Sequence, residues 1–524
     1  MAGAALGLGF HYPRSISARN RFDIIIANGL VYAGDGKAPV KADIGISDGK
    51  IAAIGRLGNS CDKFIDVENK VVSPGFIDIH THSDTNFFSC PFGDSRIYQG
   101  ITTDIGGNCG DSPFPKADGE GIAGFYSKLD ELKIGINYKS YTGQGTLRDI
   151  VVGPNDVEAT SEQIARMKAL LAAEMEAGSL GLSAGFEYTP GSYASKSEVI
   201  DLCKVVAKYN GLFAVHLRNE DDDVEEALQE AIDMAKASGV RLQISHLKAQ
   251  NADNWHKAPD LLKQIEKAES EGVDIAFDRY PYIAFSTGLS TFIPLNLRQG
   301  TNDDILKRLN DNETAKEIGR YAETRFVKLG GPQNVVITSG KRENNIQYIG
   351  KNLLECSEMS GLAPWPFIRQ LLIEEKVNVS MVGFAMTEKN VKLILSHRLG
   401  MPASDGSLYS PKGPLSQSMP HPRSYGTFPR FLGKYCRDEK LMDLSAAIHK
   451  CTGLPASRLN LKDRGLLIPN YYADIVVFNP DTIADTATFA EPHQFPTGIE
   501  HVFVNGRHAV ESGKGKEVFA GRVL

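Results

Sequence analysis

The chain has 524 residues and a net charge of −7, and 42% of its residues are hydrophobic. This composition is typical of a soluble globular protein. An acidic balance without a basic stripe argues against nucleic-acid binding, and no apolar run approaches the ~20 residues needed to cross a bilayer. The seven cysteines are scattered and form no disulfide framework, which favours a reducing, cytoplasmic location.

Short strands near both ends of the chain predict a small β-domain. FDIIIANGLVYAG and ADIGISDGKIAAIG each indicate two strands around an Asn-Gly or Asp-Gly turn, and ADIVVFNP and IEHVFVNGRHAV have the same alternating character. We expect a β-sandwich domain assembled from residues 22–72 and 465–524. Residues 1–21 contain no acidic residue and are expected to form a flexible tail, with an organelle presequence as the alternative.

The middle of the chain alternates apolar strands with helical stretches such as SEQIARMKALLAAEMEAG and SKSEVIDLCKVVAKYNG. The strand candidates are GFIDIH, TTDIGGN, RDIVVG, LGLSAG, LFAVHL, RLQISHL, VDIAFDRY and LGMPASDG. This alternation predicts a parallel (β/α)8 TIM-like barrel over residues 73–464 rather than an open sheet. More than a hundred residues separate the last two candidates, so we expect an inserted lid or subdomain at about 290–345.

Metal-competent residues fall at the C-terminal ends of these strands. They are His80, His82, Cys109, His216, His246 and Asp405. Barrel enzymes place their active sites at that end of the strands, so residues far apart in sequence are expected to converge there. A single histidine or cysteine in an apolar strand is more often part of the core. The joint placement at one strand end after another points to a metal site.

The residue types of this set suit zinc. His80 and His82 are two apart on a strand, so their side chains leave the same face. Imidazole and thiolate are favoured zinc ligands, and zinc makes a water molecule nucleophilic near neutral pH. Asp405 is the predicted general base, with the capping of a Ser-Asp-Gly turn as its structural alternative.

Motifs along the chain resemble those of a known family. PGFIDIHTHSD at 74–84 is similar to the first-strand signature of the amidohydrolase superfamily. The narrower resemblance, from about residue 22 to the C-terminus, is to the N-acyl-D-amino-acid deacylases, or D-aminoacylases. Its motifs are GGNCGDSP, GFEYTPG, AVHLRNE, ISHLKAQ, DRYPYIAFST, ASDG and HPRSYGTFPR.

The resemblance implies roles for individual residues. Cys109 corresponds to the cysteine that bridges or caps the metal site, which agrees with the lack of a lysine in GLSAGFEYTPG. Cys109, His216 and His246 would hold the tighter zinc, and His80 and His82 a second, weaker one. The positions implied to bind substrate are Lys248, Arg423, Tyr188 and either Tyr280 or Tyr282. Arg279 adds a cation that favours an acidic substrate side chain or pairs with Asp278.

The predicted function is zinc-dependent hydrolysis of the amide bond of N-acyl-D-amino acids, with the D configuration taken from the resemblance alone. The alternatives are a dipeptidase that cleaves the bond to a C-terminal D-residue, and a catalytically silent barrel used as a scaffold. The expected partner is a small-molecule substrate, without nucleic acid or membrane, and the chain is expected to be a monomer or a small homo-oligomer.

Overall fold

A computed structural model describes residues 21–524, so all but the last residue of the expected tail lies outside the described residues. Strands from both ends of the chain form one sheet of nine strands, the terminal sheet. Its strands are Phe22–Val31, Val40–Ser47, Lys50–Gly55, Cys61–Asp66, Val71–Pro74, Ile475–Phe478, Ile499–Val504, Arg507–Glu511 and Lys514–Gly515. All nine are joined by hydrogen bonds, and Phe22–Val31 pairs with three of the others. The arrangement of these strands as a sandwich stays a prediction.

The two ends of the chain meet where Ile475–Phe478 pairs antiparallel with Val71–Pro74. The expected Asp-Gly turn is confirmed, because Asp48 and Gly49 connect two paired strands and both have positive φ. The expected Asn-Gly turn is wrong. Asn28, with φ 61°, and Gly29 lie at a register shift inside the single strand Phe22–Val31, where the extra residue makes a bulge rather than a chain reversal.

Parallel strands make up the middle of the chain. They are Phe76–Asp78, Ile101–Gly106, Asn137–Ser140 with Thr142–Gly143, Gly181–Gly185, Leu212–His216, Arg241–Ile244, Ile275–Arg279 and Gly400–Pro402. Each pairs in parallel with the next in chain order. A parallel bridge between Thr81 and Gly406 joins the residues that follow the first and the last strand. All the C-terminal strand ends therefore lie on one side.

The third predicted strand, RDIVVG at 148–153, is wrong. These residues belong mostly to the helix Gln144–Val151, and the strand precedes it at Asn137–Gly143. Polar side chains of that strand are buried and hydrogen-bonded, as Asn137 is to Asp474 and Thr142 to Ser179. Because tertiary partners satisfy them, the strand lacks the apolar pattern by which strands are recognised in a sequence.

Helices follow most of the parallel strands and pack outside them. They are Asp94–Ile97, Ile122–Leu132, Gln144–Val151, Ser161–Glu176, Lys196–Lys208, Val224–Ser238, Ala258–Ser270, Glu388–Ser396, Arg423–Arg430, the π-helix Phe431–Asp438, Leu444–Cys451 and Gly453–Arg458. The two predicted helices are confirmed, and local sequence starts both. Thr160 and Gln163 form a capping box, and Ser195 accepts from the amide of Glu198. In the part of the chain that the structure describes, no helix has the length and apolarity to cross a bilayer.

An inserted segment separates the last two parallel strands. It contains the antiparallel strands Ala284–Gly288, Val335–Ile337 and Ser380–Phe384 and the helices Asn302–Asn310, Asn312–Lys328, Leu353–Ser360 and Pro364–Glu374. The segment thus extends well beyond the expected bounds of 290–345. Its helix Asn312–Lys328 contacts the loop after Leu212–His216, since Lys328 pairs with Asp222 at 2.6 Å. This contact holds the inserted segment on the C-terminal side of the parallel strands.

Candidate active site

The metal-competent side chains do converge at the C-terminal ends of the parallel strands. One ligand atom from each of four buried residues lies within 4.8 Å of the others, and these residues are His80, Cys109, His246 and Asp405. His216 joins them, because its Nδ1 lies 2.9 Å from His246 Nε2. His82 approaches from one side, with its Nε2 3.0 Å from Asp405 Oδ1.

The spacing around Cys109 fits a tetrahedral metal site. Its Sγ lies 3.4 Å from His80 Nε2, 3.5 Å from His246 Nε2 and 3.9 Å from His216 Nδ1. Zinc bond lengths of about 2.0–2.3 Å place tetrahedral ligand atoms about 3.3–3.5 Å apart. The separations to His80 and His246 therefore match those of side chains that share one ion, whereas those of His216, 3.9 Å from Cys109 Sγ and 2.9 Å from His246 Nε2, lie outside this range. A soft thiolate with two or more imidazoles is a donor set that suits zinc.

The electrostatics of Cys109 favour the thiolate. Burial raises the pKa of this thiol, but His80 and His246 outweigh burial and hold the pKa well below its usual value. Cys203, buried in the core without a charged neighbour that shifts it, has a raised pKa instead. The thiolate is the metal-binding form of cysteine, so Cys109 is suited to bind a metal whereas Cys203 is not.

The backbone is strained at three of these positions. Cys109, His246 and Asp405 have φ of 53°, 37° and 49°, in the left-handed region. Non-glycine residues in that region persist only where their surroundings impose it, and such residues cluster at active sites. The strand next to Cys109 ends in a glycine because a Cβ on Gly185 would lie 2.1 Å from the carbonyl oxygen of Cys109.

Asp405 lies between the histidines and Arg423. Its Oδ1 is 3.4 Å from His80 Nε2, and Arg423 Nη1 donates to its Oδ2 at 2.6 Å. Burial raises the pKa of this carboxyl, but Arg423, His246 and His80 outweigh burial and hold the pKa well below its usual value. Asp405 is therefore ionised at neutral pH.

A cavity of about 1190 Å³ opens over this cluster. Lys248, Arg423, Tyr188 and Tyr280 line it, as expected for substrate-binding residues. The hydroxyl of Tyr280 is buried without a hydrogen-bond partner among the described residues. The loop from Gly406 to Pro420 also contributes to the wall.

Two expected residues lie outside the cavity wall. The hydroxyl of Tyr282 lies 3.4 Å from Asp485, beneath Arg430, so this side chain is directed away from the metal-competent cluster. Arg279 does not pair with Asp278 as proposed from the sequence. Its guanidinium stacks on the ring of Tyr280, and Nη2 donates to the carbonyl of Tyr282 at 2.9 Å.

Two carboxylates that the sequence analysis missed support the cluster. Asp278 Oδ1 lies 3.0 Å from His80 Nδ1, the ring nitrogen opposite to that facing Cys109. Glu220 Oε1 lies 3.1 Å from His246 Nδ1 and 2.5 Å from Lys248 Nζ. Carboxylates at the outer nitrogen of a histidine fix the tautomer that binds a metal. Asp278 and Glu220 lie inside the motifs DRYPY and AVHLRNE, which marks them as near the site but does not show which histidine each one contacts.

A model of the amidohydrolase family matches residues 63–313 and 367–510. The chain belongs to the amidohydrolase family. A model of the N-terminal domain of the urease alpha-subunit also matches residues 2–76. The match to the amidohydrolase model includes all six metal-competent positions, since none of them lies in its gap at 314–366.

Some relatives of this amidohydrolase match almost its whole length. It is 32% identical to a D-aminoacylase of Alcaligenes xylosoxydans xylosoxydans, over 96% of this chain and 97% of the relative. A structure of N-acyl-D-glutamate deacylase from Bordetella bronchiseptica, with zinc and a phosphonate mimic of the tetrahedral intermediate, has a TM-score of 0.82. It is 32% identical and covers 96% of this chain and 100% of its own.

A D-aminoacylase structure with a binuclear metal centre, described as activated by one metal and attenuated by a second, has a TM-score of 0.80. It is 33% identical, over 96% of this chain and 99% of its own. The resemblance to D-aminoacylases drawn from the motifs is thus confirmed. This amidohydrolase is a hydrolase that acts on amides, and the interpretation as a silent scaffold is not supported.

Proposed function

We propose that this amidohydrolase cleaves the amide bond of N-acyl-D-amino acids with the help of zinc, releasing a carboxylate and a free D-amino acid. The observation that carries the proposal is the cluster of Cys109, three histidines and Asp405 beside the Arg423 guanidinium in one cavity. The D configuration rests on the names of the relatives, which are a D-aminoacylase and an N-acyl-D-glutamate deacylase. We also propose that the parallel strands close into the expected eight-stranded barrel.

The metal ligands are proposed as the family resemblance implies them. Cys109, His216 and His246 would hold one tightly bound zinc, and His80 and His82 would serve a second, weaker position beside Asp405. Bound zinc supplies Lewis acidity to the scissile carbonyl and acidifies an attacking water. Asp278 and Glu220 keep the histidine rings oriented from outside.

Asp405 would act as the general base and then as the general acid. Its carboxylate would take the proton from the attacking water and pass it to the leaving nitrogen as the amide bond breaks. Its two oxygens have different environments, since Oδ1 faces His80 and His82 and Oδ2 accepts from Arg423. The guanidinium thus holds the carboxylate with Oδ1 toward the metal-competent cluster.

The substrate carboxylate would bind to Arg423. Arg423 and Lys248 are both paired in this structure, with Asp405 and Glu220. Lys248 is bound to a carboxylate and to His246 Nδ1, whereas Arg423 bonds Asp405 through Nη1 and offers the other donors of a planar guanidinium. An incoming carboxylate shares Arg423 with Asp405 and thereby weakens the hold of Arg423 on the base.

The test compares acids with their methyl esters. N-acetyl-D-amino acids should be hydrolysed far faster than their esters, because an ester lacks the charge that the remaining donors of Arg423 would bind. They should also be hydrolysed faster than the L-enantiomers, because fixing both the carboxylate and the scissile carbonyl leaves one direction for the side chain. Arg423→Met should lower kcat/KM on the acid by at least about 30-fold, the equivalent of ~2 kcal/mol, and should reduce the acid-over-ester preference. Arg430→Met is the matched control, since Arg430 lies on the same helix but binds Asp485. Equal kcat/KM for D and L forms across a broad side-chain panel would contradict the proposed stereochemistry.

A further inference from the structure

A buried arginine supports the loop that carries Asp405. Arg96 lies on the helix Asp94–Ile97 and has no exposed surface. Its guanidinium reaches the residues on both sides of Asp405. Nη1 donates to Ser404 Oγ at 2.9 Å, and Nη2 donates to the carbonyl of Gly406.

Arg96 also bonds the end of the first parallel strand. Nη2 lies 3.2 Å from Ser83 Oγ, and Nη1 lies 3.5 Å from Asp78 Oδ2. Asp78 in turn accepts from the amide of Ser404 at 2.9 Å through Oδ1. The guanidinium has a second buried counter-ion, since Asp104 Oδ2 lies 3.5 Å from Nε. Through Asp78, the guanidinium ties the last strand to the first at the point where Asp405 leaves the last strand.

The loop needs such support. Asp405 has φ of 49°, a conformation that a residue with a side chain keeps only when its surroundings impose it. Its amide donates to the carbonyl of His80 at 2.9 Å, and the amide of His82 donates to Gly406 at 2.9 Å. These bonds join the backbone after the first parallel strand to the backbone after the last one. Arg96 bonds the residues on both sides of Asp405, which are Ser404 and Gly406.

Neighbours of Arg96 hold adjacent parts of the site. The amide of Ser95 donates to the carbonyl of Tyr409 at 3.0 Å. Gln99 Nε2 donates to the carbonyl of Ser424 at 2.9 Å, one residue after Arg423. One short segment thus contacts the backbone beside both Asp405 and its partner Arg423.

We propose that Arg96 is a positioning residue that sets the orientation of the Asp405 carboxylate through Ser404 and Gly406. The proposal rests on the role of Asp405 as general base given above. An arginine is required because its planar fork donates to Ser404, Gly406 and Ser83 at once, which a lysine ammonium cannot reproduce with the same geometry. A displacement of about 1 Å in a reacting group is enough to cost on the order of 10²-fold in rate.

The first experiment compares Arg96→Lys and Ser404→Ala with Arg464→Lys. Arg464 is a buried arginine of the C-terminal region that pairs with Asp474 and Asn505, away from the cavity. We expect Arg96→Lys to lower kcat by about 10–100-fold while KM and metal content stay within about twofold of wild type. Ser404→Ala removes the oxygen that accepts from Arg96 and from the amide of Gly406 at 3.1 Å, without unpairing a charge, so it should fold and lower kcat less. Kcat of Arg96→Lys and Ser404→Ala equal to that of Arg464→Lys would overturn the proposal.

The second experiment places Arg96→Lys and Ser404→Ala in an Asp405→Asn background. If Arg96 acts through Asp405, either change should leave the residual kcat of Asp405→Asn unaltered, because the group being positioned no longer takes the proton. A loss that multiplies with that of Asp405→Asn would show a general structural role and overturn the inference. If Asp405 is not the general base, Asp405→Asn by itself will keep its activity. That result is distinct from a failure of the inference about Arg96.

Discussion

At the residue scale, the site combines side chains that perturb one another. Cys109 is held as a thiolate by neighbouring imidazoles, and Asp405 is held ionised by Arg423 and His80 despite burial. Carboxylates also contact the outer ring nitrogens of His80 and His246. Among the residues that the motifs imply for substrate binding, Tyr282 is directed toward Asp485 instead of the cavity. Lys248 lines the cavity and pairs with Glu220, and its role in substrate binding stays a prediction.

Removing the thiolate should remove the metal. We expect Cys109→Ala and His216→Ala to lose bound zinc and nearly all activity, since each removes a ligand of the tighter position. His80→Ala should lower activity with less effect on tight zinc. Elemental analysis of purified variants is the measurement, with Cys203→Ala, another buried thiol, as the control that keeps its metal. Full zinc occupancy in Cys109→Ala would exclude the thiolate as a ligand, and equal loss in all variants would indicate one cooperative binuclear site.

Replacing the base should slow the chemistry and leave binding intact. Asp405→Asn keeps the shape of the side chain but accepts no proton, so kcat should fall by about 10²–10⁴. Zinc content and KM should change little. Asp485→Asn is the control, because Asp485 contacts Tyr282 and Arg430 instead of the cluster. A variant at Asp405 that retained more than about a tenth of wild-type kcat would place the base elsewhere.

At the element scale, the ends of the parallel strands are packed too closely for ordinary side chains. The strand Gly181–Gly185 passes beside the loop of Cys109, and the amide of Gly110 donates to Ser183 Oγ at 3.0 Å. A Cβ on Gly110 would itself lie 2.7 Å from the amide nitrogen of Gly185. The position of the thiolate is thus set by two glycines, Gly185 at a strand end and Gly110 in the loop of Cys109.

Gly185→Ala should displace Cys109. Its Cβ would lie 2.1 Å from the Cys109 carbonyl oxygen, a backbone atom that cannot rotate away. We expect a loss of about 1–3 kcal/mol in the free energy of unfolding, together with weaker zinc retention in a chelator titration. Gly58→Ala is the matched control, since nothing lies within 4 Å of its added Cβ. Unchanged zinc retention in Gly185→Ala would show that the loop of Cys109 adapts without cost to the site.

At the scale of the whole molecule, the terminal sheet and the parallel strands share buried surface. Val476 and Phe478 of the terminal sheet belong to one apolar cluster with Phe76 and Ile101 of the parallel strands. Ile475 and Val477, on the opposite face of the same strand, pack within a second cluster that includes other residues of the terminal sheet. A strand buried on both faces couples the two regions.

Val476→Ala should destabilise the whole molecule as one unit. Val476 is fully buried, and removing its methyl groups should cost about 1–3 kcal/mol in the free energy of unfolding. Both tryptophans, Trp255 and Trp365, lie outside the terminal sheet, so their fluorescence reports the rest of the molecule. We expect fluorescence and circular dichroism to shift together in denaturant, and Val157→Ala, half exposed, to shift neither. Two separate transitions would contradict this coupling.

The sequence by itself determined the features that are written locally. Alternating apolar strands and capped helices indicated the α/β architecture, and His80, His82, Cys109, His216 and His246 were recognisable because each residue type binds metals and follows an apolar strand. The tertiary structure decided what depends on contacts across the chain. The strand Asn137–Gly143 was missed because partners such as Asp474 satisfy its buried polar side chains. The contacts of Glu220 and Asp278 with histidines, and the ion pair of Lys248, form between residues that are far apart in sequence and meet only in the fold. The function of a charged side chain depends on the charges around it, so these contacts could not be predicted from the sequence.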